Sequence, residues 1–399
     1  MSLLSPGAHR AAGLADDAAL VAAMLAVEAA WPHALAAAGA LDAADAAALD
    51  RAVRGWPVDL DRLRTGAEDA GNPVVPLVGA LRDAVPDDRL ARMIHRGLTS
   101  QDVLDTALVL IARNTLNRVR DDLGHTARAL AALAGRHRGT VMAGRTLTQY
   151  AVPVTFGLKA AQWLSGVLDA HDDVEHALRG LPVQCGGAAG TLALVAETGA
   201  DPVAAARAFA DRLGLVWPGL PWHTTRTPVT RIGAALAGVC ATTGVIASDV
   251  AVLSRPEIAE VREGAVAGRG GSSTMPHKRN PVLAVLVRGA ALQAPQLEAQ
   301  LRLAAGLTLD ERPDGAWHSE WPALRRLLEL TVTAASQTAE LTAGLEVDAR
   351  TMTARARAAS GLLLAERGTP GDPAGYLGAS GAFVDTVLAR FRTAGADHD

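Results

Sequence analysis

The sequence predicts an all-α protein, and three observations carry that prediction. Apolar side chains recur in steps of three and four over five long segments, the period of one helix face. Aromatic residues make up only 3% of the chain while Ala and Leu recur throughout, which favours close-packed helices over a β-sandwich. No alternating Val- and Ile-rich run stands between turn signals, so a substantial sheet is not expected.

Taken in order, residues 1–98 read as an N-terminal helical domain. Residues 99–345 read as a helical bundle. Its first stripe runs Leu104, Leu108, Ile111, Thr115, Val119, Leu123, Thr126, Leu130 and Leu133, a helix about 45–50 Å long. A second passes through Val154, Leu158, Ala161, Leu164, Leu168 and Val174, and a third from Val229 to Leu253, ended by Pro256. The fourth starts after Pro281 and runs to Leu301, with a kink expected at Pro295; the fifth spans Leu324 to Leu345. Helices of this length stabilise one another by bundling. Breakers at Gly361, Gly368, Pro370, Gly371 and Pro373 mark residues 346–399 as a short helical cap. There is no repeat of solenoid length.

Composition excludes several classes of function. The chain has 399 residues, 49% hydrophobic and 20% charged, enough to bury a sizeable core. A net charge of −4 supplies no basic field for nucleic acid. Cys185 and Cys240 make neither a disulfide framework nor a zinc site, and are expected to be small buried residues of a reduced, intracellular protein. His171 and His176 are five apart and no HExxH occurs, so no metal is expected. The first ten residues lack the apolar region of a secretory signal. The most apolar stretches, 18–41 and 233–253, are interrupted by Glu28, His33 and Asp249, which argues against membrane spans. The expectation is a cytoplasmic protein without a membrane or nucleic-acid partner.

Four segments hold candidate chemistry. GAVAGRGGSSTMPHKRNP, from Gly264 to Pro281, combines mobile glycines with Ser272, Ser273, Lys278 and Asn280, stiffened by Pro276 and Pro281. A solvated connector is the plain reading of such a loop. Glycines with set polar groups also suit a lid that closes over an anion and excludes water. Lys278 and Asn280 would hold a carboxylate and a serine hydroxyl would exchange a proton beside it. Serine alone is a poor base, so closure must supply a cation or backbone N–H groups to steady its alkoxide. In HRGLTSQD (His95 to Asp102), Ser100 is read as an N-cap with Asp102 in the first turn. The alternative is that Thr99, Ser100 and the free N–H groups receive a substrate carboxylate. GRTLTQY (Gly144 to Tyr150), holding Arg145 and Gln149, precedes the second bundle helix. QCGGAAGT (Gln184 to Thr191) lacks the lysine of a P-loop.

Read together, these segments resemble the fumarase/aspartase superfamily. GSSTMPHKRNP is similar to its signature loop, GSSxMPxKxNP, and TSQDVLDTA, GRTLTQYAVPVTFGLK and QCGGAAGTLA sit where it has its other motifs. LVAAMLAVEAAWPHALAAAGAL resembles its opening helix, and TSQD, the RTxxQxxxPVTFGLKAA stretch, QxGGAAGTLA and EWPAL (Glu320 to Leu324) together look most like the bacterial 3-carboxy-cis,cis-muconate cycloisomerase branch. The resemblance implies a three-part all-α fold and a homotetramer with a central 20-helix bundle. Each site would be shared between subunits, with no cofactor and a di- or tricarboxylate substrate. It implies conversion of 3-carboxy-cis,cis-muconate to 4-carboxymuconolactone, in the protocatechuate branch of the β-ketoadipate pathway. Alternatives within its reach are a fumarate-releasing lyase of the adenylosuccinate lyase type and a non-catalytic structural relative.

Carried over residue by residue, the resemblance makes Ser272 the catalytic acid or base. Lys278 and Asn280 become carboxylate-binding and enolate-stabilising positions. Thr99, Ser100, Gln149, Arg145, Ser273 and Met275 fall among substrate contacts, and His95 and Asn72 among pocket positions. The chain departs from the pattern at Tyr150, where cycloisomerases carry a histidine, and at Leu147, where adenylosuccinate lyases carry another. Tyr150 would then be the donor that replaces the second acid/base. The segment after residue 345 is shorter than the family's third domain.

Overall fold

The long apolar stripes become the struts of the molecule. The computed structural model describes residues 3–275 and 277–396. Five helices, α1 (Asp17–Ala37), α2 (Ala43–Arg54), α3 (Leu60–Ala70), α4 (Val74–Asp83) and α5 (Asp88–Ala91), precede the bundle. The bundle begins with α6 (Ser100–Arg136), followed by a hairpin of β1 (Val141–Thr146) and β2 (Gln149–Thr155), and then α7 (Phe156–Arg179). Two shorter helices, α8 (Ala193–Ala196) and α9 (Pro202–Leu213), lead to α10 (Thr227–Leu253). Strand β3 (Val261–Arg262) pairs antiparallel with β4 (Glu346–Val347), and between them run α11 (Val282–Gly306) and α12 (Gly315–Ala343). Helices α13 (Ala349–Ala358), α14 (Ser360–Leu363) and α15 (Ser380–Ala396) close the chain.

The five long helices alternate in direction, which the side-chain contacts record. Thr106 near the start of α6 bonds the backbone of Gln184 beyond the end of α7. Lys159 and Trp163 near the start of α7 both reach Asp249 near the end of α10, at 3.1 and 2.9 Å. The bundle therefore has two ends, one at Thr99 and one at the hairpin. With 37 residues, α6 spans about 55 Å between them. The capping segment lies at the hairpin end, where α13 and α14 pack on the strands, while α15 lies along α7 and α6.

Two core helices are apolar enough to cross a membrane by length and composition, contrary to the reading that Glu28, His33 and Asp249 exclude it. These are α1 and α10, with mean hydropathy 1.5 and 1.8. In the fold, 56% and 50% of their most apolar windows are buried among other helices, so protein takes the place of lipid. Both cysteines are buried and free; burial pushes the Cys240 thiol up to about 11.

Several expectations are corrected by the structure. Gly144 to Tyr150 forms a hairpin rather than a lead into a helix, and Val154 lies in β2, so the second stripe starts at Phe156. A bulge at Gly144 breaks the register between Ala143 and Arg145. The turn uses Leu147 and Thr148 with φ of 47° and 72°, a left-handed pair without the usual Asn-Gly. Helix α12 stops at Ala343, short of Leu345. Thr99, not Ser100, is the N-cap of α6, because Asp102 three residues on returns a carboxylate oxygen to the Thr99 N–H at 3.0 Å. Pro276, expected to stiffen its loop, lies outside the described residues.

A buried charge network locks the Thr99 end. The Arg226 guanidinium, 1% exposed, donates to Asp105 of α6 at 2.7 and 3.0 Å and to Glu320 of α12 at 2.6 and 3.1 Å. Trp317 Nε1 adds a bond to Asp105 at 2.9 Å, and Gln101 and Gln184 each donate to it at 3.2 Å. One turn away, Asp102 accepts the N–H groups of Gly186 and Gly187 at 2.9 and 2.8 Å and lies 2.8 Å from His223 Nε2. Gly187 has φ of 68°, and a Cβ there would meet the Gly97 carbonyl at 2.8 Å, so only glycine fits. The QCGG segment is thus a turn wrapped on Asp102. Burial pushes the Glu320 carboxyl above its ordinary range, opposed by Arg226.

Removing one partner of a buried ion pair leaves the others uncompensated. Arg226→Met is expected to destabilise the fold by about 3–5 kcal/mol, read from urea unfolding midpoints. A loss under about 1 kcal/mol would show that the carboxylates find other partners.

Candidate active site

The helix ends deliver the candidate residues as two groups. At the Thr99 end, Asn72 Oδ1 accepts from the Val74 N–H at 3.0 Å and its amide donates to the Ala70 carbonyl at 3.2 Å, shaping the turn into α4. His95 follows, with a left-handed φ of 60° and Nδ1 2.7 Å from Glu28 Oε1. Burial alone would lower its pKa, but the Glu28 and Asp102 charges outweigh it and raise the imidazole above its ordinary value. Thr99 is buried in the capping box, and Ser100 is half-buried in the first turn.

The hairpin end holds the other group. The loop before α11 is kept in place at its base. Arg269 pairs with Glu340 at 2.5 Å, and the Asn280 backbone and amide N–H groups donate to the Gly270 carbonyl at 2.8 and 3.1 Å. Gly270 has φ of 73°, and a Cβ there would clash with the Asn280 carbonyl at 2.7 Å. Within the loop, the backbone N–H groups of Thr274 and Met275 converge on Ser272 Oγ at 3.4 and 3.2 Å. Ser273, Met275 and Lys278 are exposed.

Lys278 and Asn280 line a cavity of about 930 Å³ that Arg255, Arg262, Arg279 and Arg350 also border. Two of its three acids are held by backbone N–H groups, and the third offsets only the bordering Arg262. Glu263 accepts from the Leu283 and Ala284 N–H groups, Glu346 pairs with Arg262, and Asp348 caps α13. The cavity is therefore electropositive, suited to a substrate with several carboxylates.

On the hairpin, Arg145 is bound to buried Glu260 at 2.8 and 3.0 Å, so its charge is already matched. Its guanidinium carbon lies 5.6 Å from the Tyr150 ring centre. Gln149 is exposed and donates to Thr148 Oγ1 at 3.2 Å; Tyr150 is 41% and Leu147 94% exposed. Within one chain the structure joins Ser272, Lys278 and Asn280 in one loop, and His95, Thr99 and Ser100 at one helix start. It leaves the two groups about a helix length apart.

Sequence reasoning missed the polar residues that hold this frame: Asp105, Gln184, His223, Arg226 and Glu28. For Glu28 and Asp105 the only signal was a charge inside an apolar stripe, as with Asp105 between Leu104 and Leu108. Among the described residues no cluster of His, Cys, Asp or Glu is arranged to hold a metal ion.

An all-α bundle with a glycine-hinged serine–lysine loop at one end and a capped TSQD turn at the other defines a lyase of the fumarase/aspartase type. The comparisons agree. A lyase family model matches residues 12–295. Nitrosuccinate lyase of Streptomyces davaonensis is 48% identical over 359 residues, 88% of this chain and 76% of that protein. 3-Carboxy-cis,cis-muconate cycloisomerase of Bradyrhizobium diazoefficiens is 41% identical over 367 residues, 91% of this chain and 80% of that one. Among solved structures, the 3-carboxy-cis,cis-muconate lactonizing enzyme of Pseudomonas putida superposes with a TM-score of 0.87 at 32% identity, covering 94% of each chain. The chain belongs to the lyase family of the fumarase/aspartase superfamily.

Ser272→Ala is expected to lower turnover by roughly 10²–10⁴-fold, the range for a lost proton-transfer group, with an unchanged circular-dichroism melt. Near-parental turnover in that variant would remove the hydroxyl from the chemistry.

Proposed function

We propose that the chain eliminates an oxyanion from a substituted succinate, with nitrosuccinate as the first candidate substrate. The observation that carries this reading is the convergence of two backbone N–H groups on Ser272 Oγ, in the same loop as Lys278 and Asn280, which line an electropositive cavity. Those N–H groups supply what a serine needs to act as a base. Ser272 takes the proton from the carbon next to one carboxylate, and Lys278 and Asn280 stabilise the charge that builds on that carboxylate. The C–H pair becomes the double bond, the C–N bond breaks, and nitrite leaves with its electrons, giving fumarate.

The departures at Tyr150 and Leu147 support this class of leaving group. An amine must be protonated as it departs and needs a strong general acid. Nitrite, the anion of a moderately strong acid, leaves unprotonated, so a phenol that only donates a hydrogen bond suffices. The 48% identity to a nitrosuccinate lyase points the same way. A second reading is lactonisation of 3-carboxy-cis,cis-muconate, supported by the cycloisomerase relatives and the 0.87 TM-score. It is the same elimination in reverse, with a carboxylate as the departing group.

The reading includes a cytoplasmic homotetramer with shared sites and no cofactor. Two groups about 55 Å apart on a rigid helix cannot meet in one chain, but they meet if chains pack with opposite ends adjacent. Exposed Leu147 on the strained hairpin tip, and Val285 and Leu292 on α11, supply apolar surface for that contact.

Ultraviolet absorbance separates the readings. Fumarate is expected to accumulate from nitrosuccinate, and not from adenylosuccinate. Consumption of 3-carboxymuconate alone would move the assignment to the cycloisomerase, and consumption of adenylosuccinate would refute the leaving-group argument. Light scattering should report a tetramer. Mixing inactive Ser100→Ala and Ser272→Ala chains through an unfolding–refolding cycle should restore part of the activity; a refolded mixture that stays inactive would refute the shared site.

A further inference from the structure

We propose that Glu28 is a positioning residue that holds His95 as a cationic hydrogen-bond donor toward a substrate oxyanion. The inference rests on the reading that the Thr99 end receives part of a carboxylate-bearing substrate.

Glu28 lies in the middle of α1 with its side chain 0% exposed. One carboxylate oxygen meets His95 Nδ1 at 2.7 Å, and the other has no partner among the described residues. A carboxylate buried with half its acceptor capacity unused destabilises the fold relative to an apolar side chain of the same size. It neither caps a helix nor meets an arginine, so the network at Arg226 does not account for it. His95 carries a second penalty, a left-handed backbone in a residue other than glycine. Two unfavourable features thus meet in one contact, four residues before Thr99.

Of the pair, only the imidazole reaches solvent, with its side chain 15% exposed. Nδ1 is committed to Glu28, and Nε2 makes no hydrogen bond among the described residues, so it is the free donor. The charged groups facing the ring come from three helices: Glu28 of α1 and Asp102 of α6 favour its protonated form, and Arg82 of α4 opposes it. Glu28 therefore decides which nitrogen is free and favours the protonated form of the ring. Its role resembles that of a carboxylate behind a catalytic histidine, without its touching substrate.

The test follows the His95 ring by NMR, with succinate as a dicarboxylate probe that is not turned over. In the parent, the His95 titration midpoint should lie above the ordinary 6.5 or so, and succinate should raise it further. In Glu28→Gln, with only the Asp102 charge left to offset burial, it should fall well below the parent's. Succinate affinity at pH 7.5 should weaken roughly tenfold or more, the loss expected for a charge-assisted hydrogen bond, and the gap should close toward pH 5.5. Glu28→Asp should recover part of both effects. On a His95→Asn background Glu28→Gln should add nothing to the affinity loss. An equal midpoint in parent and Glu28→Gln, or a shifted midpoint with unchanged affinity, would overturn the proposal. So would a parent midpoint indifferent to succinate, a result that needs no variant to fold. None of these readouts requires turnover. A chain inactive on nitrosuccinate whose His95 still responds to succinate keeps the dyad and loses only the assigned reaction.

Discussion

The fold is organised around one buried cation. Arg226 stands at the start of α10 and pairs with both Asp105 of α6 and Glu320 of α12, so three struts of the bundle share one ion-paired knot. Apolar stripes bring helices together but leave their axial register loosely specified, since Leu and Ala pack acceptably after a slip of one turn. A slip here would strand a carboxylate in the core. The knot therefore sets where α6 begins relative to α10 and α12. Asp102, one turn earlier on α6, uses that register to gather the Gly186–Gly187 turn and His223.

With the register set, the helices act as rigid spacers, and the chemistry lies at their ends. Backbone groups are free at helix termini and loops. The glycine-hinged loop before α11 and the turn before α6 are therefore where N–H groups are available to an anion. The same rigidity prevents the two ends from meeting within a chain.

Charge follows the same division. At the hairpin end, acidic residues are used up by helix caps and ion pairs, which leaves Lys278 and several arginines facing an open cavity. At the Thr99 end the positive element is a histidine held by a buried glutamate. On the proposed reading, a substrate with two or more carboxylates would meet one of these groups at each end of a shared site. On the same reading, Tyr150 in place of a histidine favours leaving groups that depart without a proton.

Helix positions and the signature loop were legible in the sequence because their signals are local. The 3.6-residue period marks α6, α7, α10, α11 and α12, and glycines beside serine and lysine mark the loop within eighteen residues. The hairpin was not legible: its strands are 6 and 7 residues long, a bulge interrupts their alternation, and its turn lacks glycine. Only packing against α13 and α14 makes that segment a pair of strands. The roles of Glu28, Asp105 and Arg226 were equally hidden. Sequence showed each as a charge interrupting or flanking an apolar run, and tertiary structure supplied partners 67, 94 and 121 residues away. Periodicity determines that a face is buried, because burial of apolar surface is additive and non-directional. Which charge meets which depends on direction and distance, and those exist only once the helices have docked.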